Sequence, residues 1–311
     1  MRVLVTGAGG FVGGFLLSEL RRSGHDTVPV YSPSATTADG LNLLDAERTI
    51  RRIDETCPDA IVHLAARSKP ATMEALRSLV DENLTMAANV LEASRVAAPR
   101  ARVILASSSA VYGAVPIERN PIKEDEPPRP TLPYGAAKAA VEALASVYVA
   151  LGIDVVVARS FNLVGPGQDP SFAIPSFARQ VALASNSTAE HVIETGPLDK
   201  TRDFTDVRDA VAAYLLLIAR SPPPGLYNVC SGVARCLRDV LEDLMKQAGI
   251  RAVVREAPDR GSGGQLDVPY QCGSRALIGR VIGWQPTIPW EETLSDILAD
   301  WQLRTHAGEV T

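Results

Sequence analysis

The chain is predicted to be an α/β protein: a Rossmann-type, doubly wound parallel sheet with a smaller mixed α/β substrate domain towards the C-terminus. Three observations carry that expectation. Short runs rich in Val, Ile and Leu ("RVLVT", "TVPVY", "AIVHLA", "RVILAS" and "DVVVAR") recur through the first half, the pattern of strands buried on both faces and therefore parallel. Helical stretches near 11–23, 46–56, 72–97 and 134–151 separate them, and strand–helix alternation of this kind covers both faces of a sheet. The first strand runs directly into a glycine-rich turn that opens a helix, "VLVTGAGGFVGGFL".

With 311 residues, 46% of them hydrophobic, the chain can bury a sizeable core as one large domain or two smaller ones. The net charge of −5 is spread along the sequence without a basic block, so no nucleic-acid partner is expected. The longest apolar run, 211–219, is too short to span a bilayer and reads as a core helix, so no membrane partner is expected either. Cys57, Cys230, Cys236 and Cys272 form no CxxC pair and the four histidines are scattered. Neither a disulfide framework nor a metal site is expected, and a reducing cytoplasm fits. A strand begins at once in "MRVLVTGAGG", and no signal peptide is expected ahead of it.

The pattern changes after Arg159, where Pro, Gly and Gln punctuate "NLVGPGQDPS". Residues 1–160 are expected to form the dinucleotide-binding domain, rejoined by about 206–232 around "GLYNVCSG". Residues 161–205 and 233–305 are expected to form the second region, helices interleaved with fewer strands.

Gly7, Gly10 and Gly13 lie between the first strand and first helix. Such glycines let the backbone turn tightly and approach a pyrophosphate, whose charge the helix N-terminus stabilises. The second strand ends in "VPVYSPS" without the acidic residue that would hold an adenosine ribose. That favours NADP(H), with NAD(H) as the alternative, although no arginine or lysine replaces the acid. Asn42 in "GLNLLD" reads either as an adenine-edge contact or as a turn residue.

Tyr134 and Lys138 are spaced i, i+4 and share one face of an alanine-rich helix. A phenol with a pKa of about 10 must drop by roughly 3 units, about 4 kcal/mol, to exchange protons near neutrality. An ammonium about 4 Å away supplies on the order of 4 kcal/mol at a protein-like dielectric. The serine run in "LASSSAVYG" closes the fourth strand, at the sheet edge where such folds bind ligands. A serine there could bond the same substrate oxygen as Tyr134, although serine runs also serve as turn formers.

Together, TGxxGxxG, "HLAA", the serine run, YxxxK and "RSFNLVGPGQ" resemble, in order and over nearly the whole chain, the extended short-chain dehydrogenase/reductase family. The second half looks most like members that modify GDP-sugars, GDP-4-keto-6-deoxy-D-mannose reductases among them, through "FNLVGPGQDPSFAIPSFARQ", "TRDFTDVRDAVAAYL", "YNVCSG" and "GWQPTIPWEETLSDILADW". The resemblance implies that Tyr134 transfers a proton, Lys138 contacts the ribose, and Ser108 bonds the sugar C4 oxygen, with Ser109 as fallback. It implies cofactor contacts from Phe11 and Val12, from Leu43 beside Asn42, and from Leu64, Ala65 and Ala66. Asn162 and Arg179 match positions that hold the nucleotide-sugar. Arg202 is a further candidate, the alternative being a surface charge.

Two departures from the family pattern stand out. Sugar 4,6-dehydratases carry a glutamate two residues after the catalytic Ser/Thr. Here Ala110 stands in that place and cannot hold a proton, which leaves hydride transfer at C4. Relatives also carry a diphosphate-binding arginine shortly before the position of "LDV"; this chain has "DRGSGGQLDV", with Arg260 displaced or Gln265 standing in. The expected activity is therefore NAD(P)H-dependent reduction of a nucleotide-linked 4-keto-6-deoxy hexose, GDP-linked by preference, giving GDP-D-rhamnose or its C4 epimer. The alternatives are a nucleotide-sugar 4-epimerase with tightly bound NAD and a non-catalytic dinucleotide-binding protein. The other faces of the Tyr134–Lys138 helix are small and apolar, which predicts a homodimer built through it.

Overall fold

The computed structural model describes residues 1–33, 40–68, 75–185, 191–257 and 268–307. In chain order the first half holds β1 (Arg2–Thr6), α1 (Phe11–Arg22), β2 (Asp26–Val30), α2 (Ala46–Thr56), β3 (Ala60–His63), α3 (Ala75–Ala97), β4 (Arg102–Ser108), α4 (Pro133–Ala150) and β5 (Val155–Ser160). There follow β6 (Asn162–Val164), α5 (Ala173–Ser185), β7 (Val192–Thr195), β8 (Thr201–Asp206), α6 (Val207–Ala219), β9 (Gly225–Val229), β10 (Ala234–Cys236), α7 (Leu237–Gln247), β11 (Val253–Glu256), β12 (Tyr270–Gln271), α8 (Ala276–Ile282) and α9 (Trp290–His306).

The predicted doubly wound sheet is present. Six described strands pair in the order β2-β1-β3-β4-β5-β9, each neighbouring pair parallel. β3 and β5 are buried at every residue, as continuous apolar runs require when both faces are covered. Pro29 falls within β2, which is tolerated because β2 is an edge strand and a missing N–H costs no ladder bond there. On one face, Leu16, Leu17 and Leu20 of α1 and Ala210, Val211, Tyr214 and Leu217 of α6 close over Val3, Val5 and Val62. On the other face, Ile53 of α2, Val90 and Leu91 of α3 and Val141 and Ala145 of α4 close over Leu4, Ile61 and Val103. The apolar run 211–219 is a core helix as read, with Leu217 fully buried.

The second region is richer in strands than its sequence pattern indicated. β8 pairs with β6, β10 and β12, and β7 pairs with β11. These strands are two to six residues long, too short to display a period. Their helices α5, α7 and α9 share a core of Phe177, Val181, Leu241, Leu244, Leu294 and Trp301. No helix of the described residues is long and apolar enough to cross a membrane.

Asp206 links the two cores. It caps α6 by accepting from the Arg208 amide at 2.8 Å, and its other oxygen accepts from Thr293 Oγ1 of α9 at 2.8 Å. Arg208 adds a bidentate ion pair to the same carboxylate. Asp206→Ala removes a cap and leaves the guanidinium short of a partner, so a loss of about 2–4 kcal/mol is expected in urea unfolding. A loss under about 0.5 kcal/mol, the range of a neutral surface change, would contradict this linkage.

Candidate active site

Parallel pairing sets the C-terminal ends of β1, β3, β4 and β5 side by side, and a cavity of about 270 Å³ opens over them. The turn after β1 builds one wall from Gly7, Gly10, Phe11, Val12 and Gly13. Gly7 has φ +71°, and a Cβ there would lie 2.7–2.9 Å from the Leu64–Ala65 backbone, so only glycine fits. The Gly10 amide donates to the Gly7 carbonyl at 3.0 Å, closing the turn. Gly10 is also the N-cap of α1 and provides no side-chain acceptor. The first amides of the helix therefore face the turn without a cap, the arrangement that receives an anion.

The opposite wall comes from α4. Pro133 starts the helix at N1, where its missing N–H costs nothing. A Cβ on Gly135 would lie 2.3 Å from the Ala110 carbonyl, so this glycine lets the helix lie against the segment that follows β4. Tyr134 and Lys138 thereby reach the cavity together with Ala106, Ser107 and Ser108 of β4. Lys138 Nζ donates to the Ala106 carbonyl at 2.6 Å and lies 5.7 Å from the Tyr134 ring centroid.

The proton energetics differ from the sequence-based estimate. Burial pushes the Tyr134 phenol up from its ordinary value, with the facing Tyr214 phenol adding to the rise. Burial draws the Lys138 ammonium down to about 8, against an upward pull from Glu142. In the protein alone, desolvation outweighs the attraction between the two groups, because burial disfavours the charged form of each. His63, beneath the cavity, is held down to about 3 by burial and by the Lys138 charge, and its Nδ1 is 2.8 Å from Thr6 Oγ1.

The three serines are committed differently. Ser107 Oγ donates to Glu142 Oε1 at 2.5 Å. Ser109 is buried and donates to Gln271 Oε1 at 2.8 Å, away from the cavity. Ser108 Oγ accepts from the Ala110 amide at 3.2 Å, which leaves its own proton free to point into the cavity that it lines.

Of the cofactor residues inferred from sequence, Leu64 and Ala66 also line the cavity, whereas Asn42, Leu43 and Ala65 do not. Asn42 is exposed and its Oδ1 accepts from the Leu44 amide at 3.1 Å, so local turn chemistry takes that side chain. Leu43 is core, packed beneath the sheet face that carries α2 and α3. Ala65 is held by its backbone against Gly7. Among the substrate residues, Asn162 donates to the Asp203 carbonyl at 3.0 Å, between the cavity-lining Phe161 and Leu163. Arg179 lies on α5 and Arg202 on β8, outside this cavity. Arg260 and Gln265 lie outside the described residues. Sequence reasoning missed Ser68, Ser160 and Tyr214, which also line the cavity. Tyr214, 3.2 Å from Ser160, was hidden inside the apolar run of α6; a phenol in such a run was the available signal.

A glycine turn at an open helix N-terminus, facing a tyrosine, a lysine and a serine, defines a nicotinamide-dependent oxidoreductase of the short-chain dehydrogenase/reductase type. Residues 3–230 match the NAD dependent epimerase/dehydratase family. GDP-6-deoxy-D-mannose reductase of Pseudomonas aeruginosa is 32% identical over 97% of this chain and 98% of its own. UDP-glucose 4-epimerase of Mycolicibacterium smegmatis is 30% identical over 95% of this chain and 96% of its own. Among solved structures, RMD from Pseudomonas aeruginosa complexed with NADPH superposes with a TM-score of 0.84 at 32% identity, covering 97% of this chain and 99% of that one. Thermus thermophilus UDP-glucose 4-epimerase in complex with NAD gives 0.84 at 28% identity, with the same coverages. The chain belongs to the NAD-dependent epimerase/dehydratase family, the extended short-chain dehydrogenase/reductases, and is an NAD(P)-dependent oxidoreductase.

Gly7→Ala would force a Cβ into the Leu64–Ala65 backbone at a left-handed φ. A loss of at least about tenfold in NADPH affinity is expected by calorimetry, corresponding to about 1.4 kcal/mol. Unchanged affinity in a folded variant would show that the turn does not receive the dinucleotide.

Proposed function

We propose that the protein reduces the C4 ketone of a nucleotide-linked 4-keto-6-deoxy hexose, GDP-linked by preference, with NADPH, to GDP-D-rhamnose or its C4 epimer. The observation that carries this reading is the convergence of Ser108, Tyr134 and Lys138 on one cavity with the glycine turn. The whole-length likeness to a GDP-6-deoxy-D-mannose reductase supports the substrate. Ala110, in the position where dehydratases keep a glutamate, supports reduction over elimination. The end of β2 offers Tyr31 and Ser32 and no carboxylate, which supports NADP(H) over NAD(H).

When bound, the nicotinamide cofactor supplies the hydride. The chain supplies the rest. Ser108 donates its free proton to the ketone oxygen and so polarises the carbonyl. Tyr134, held protonated by burial, gives its proton to the developing alkoxide as a general acid. Lys138, charged below about pH 8, stabilises the phenolate left behind and would hold the cofactor ribose. Residues 1–160 and about 206–232 would hold the dinucleotide. Residues 161–205 and 233–305 would hold the nucleotide-sugar, with Asn162, Arg179 and Arg202 as its contacts. A cytoplasmic setting suits a pool of both ligands.

We also propose a homodimer built through α4, the helix that carries Tyr134 and Lys138, with α3 beside it. These helices lie side by side on one sheet face, and Val96, Val147 and Leu151 are 47%, 54% and 62% exposed. Light scattering at micromolar concentration is expected to give twice the mass of one chain; a monomer would remove the dimer.

The decisive experiment incubates the protein with GDP-, UDP- and dTDP-linked 4-keto-6-deoxy sugars and follows NADPH absorbance. Consumption with the GDP sugar is expected. Stoichiometric NAD retained in the purified protein, with no NADPH consumption, would instead favour a 4-epimerase. Tyr134→Phe is expected to lose about 10²-fold or more in kcat with NADPH affinity kept within about twofold. Normal turnover by that variant would end the mechanism.

A further inference from the structure

We propose that Glu142 is a positioning residue for the catalytic pair, locking the helix that carries Tyr134 and Lys138 onto the strand ends that carry Ser107 and Ser108. The proposal rests on the reading of Tyr134 and Lys138 given above.

Tyr134, Lys138 and Glu142 follow one another at intervals of four along α4 and so share a face. Glu142 is 8% exposed and Arg159 only 1%. The carboxylate accepts from Arg159 at both oxygens, Nε to Oε1 at 3.0 Å and Nη2 to Oε2 at 2.7 Å, and from Ser107 Oγ at Oε1. Three elements thus meet at one group: α4, the end of β4 and the end of β5. The arginine spends its remaining nitrogen on Tyr112 OH at 2.9 Å and on the Glu124 carbonyl at 3.1 Å. Tyr112 OH donates to Asn228 Oδ1 of β9 at 2.7 Å, so the network extends beneath the site to the last strand of the sheet.

Stability alone is a weak reason for such a cluster. A buried ion pair gains little over apolar residues of the same volume. What apolar packing lacks is direction. The fork of Arg159 admits one rotation of α4, and in that rotation Lys138 Nζ meets the Ala106 carbonyl. Glu142 also claims the Ser107 proton, which removes that hydroxyl as a competing donor and leaves Ser108 to the substrate.

The same carboxylate bears on the charge of Lys138. The groups facing this ammonium are Tyr134 and Glu142 on its own helix and His63 at the end of β3. Tyr214 of α6 faces Tyr134 beyond it, and Arg159 of β5 is paired to Glu142. His63 stays neutral. Glu142 therefore provides the negative charge that opposes the burial of Lys138. Without it the ammonium is lost at lower pH.

The test compares the wild type with Glu142→Gln and with the double variant Glu142→Leu/Arg159→Met, which removes both charges and so leaves none stranded. The chain has five lysines, so ¹³C-lysine labelling resolves the Lys138 titration, assigned by its absence in Lys138→Met. The wild-type midpoint is expected near 8. Folded Glu142→Gln, which removes the negative charge alone, is expected to titrate lower, and each folded variant is expected to bind NADPH more weakly at pH 8, by about fivefold or more. A merely structural glutamate would lower melting temperature and leave that midpoint alone. Unchanged NADPH affinity in the folded double variant overturns the proposal, whether or not Glu142→Gln folds, and so does an unmoved midpoint in a folded Glu142→Gln. Both readouts are independent of sugar turnover, so a failed substrate assignment does not decide them.

Discussion

A guanidinium that cannot shed its charge lies under the site: Arg159, at the end of β5, is almost completely buried. Taking it from water costs several kcal/mol unless its donors are matched and its charge is balanced. The balancing carboxylate is Glu142, which belongs to a crossover helix rather than to a neighbouring strand. The helix must therefore cross the strand ends at that residue. One and two turns earlier on the same face stand Lys138 and Tyr134, and this crossing point sets them opposite the glycine turn. Gly135 makes the crossing sterically feasible, since any side chain there would strike the Ala110 carbonyl.

Burial then acts on the two catalytic groups in opposite directions on the pH scale and in the same chemical sense. It raises the phenol and lowers the ammonium, pulling both towards neutrality. An argument from spacing counts only the attraction between phenolate and ammonium and omits the cost of removing each from water. With that cost included, the phenol keeps its proton. This is the state reduction requires, whereas oxidation of an alcohol begins from the phenolate.

What was legible in the sequence was local. β-branched runs, helical intervals, the glycine turn and the Tyr134–Lys138 spacing each reveal themselves within a few residues, and the sheet and the two walls of the cavity follow from them. What escaped notice depends on distance. Glu142 and Arg159 are separated by the last two turns of α4, a loop and most of β5, and each reads singly as an ordinary charge. Tyr214 is masked by the apolar residues around it. The short strands of the second region leave no room for a period. Asn42 was open to two readings in the sequence, and the structure shows its Oδ1 in the local turn. The serine run was ambiguous for a further reason. Three identical hydroxyls differ only in their acceptors, and those come from α4 and β12.

Those acceptors also connect the cavity to the second region. Ser109 is held by Gln271 through two bonds, Ser109 Oγ to Oε1 and Gln271 Nε2 to the Ser109 carbonyl at 3.1 Å. Gln271 belongs to β12, and its register partner on β8 is Arg202. A single side chain thus references the strand of the second region to the residue next to Ser108. Asp203, on the same strand and fully buried, accepts from the amides of Ser231, Gly232 and Gly273 and fixes β8 against the segments after β9 and β12. β8 is thereby fixed against the segment that carries Ser108. The serine segment of the cavity and the strands of the second region are thus held in one register by a single buried amide, that of Gln271.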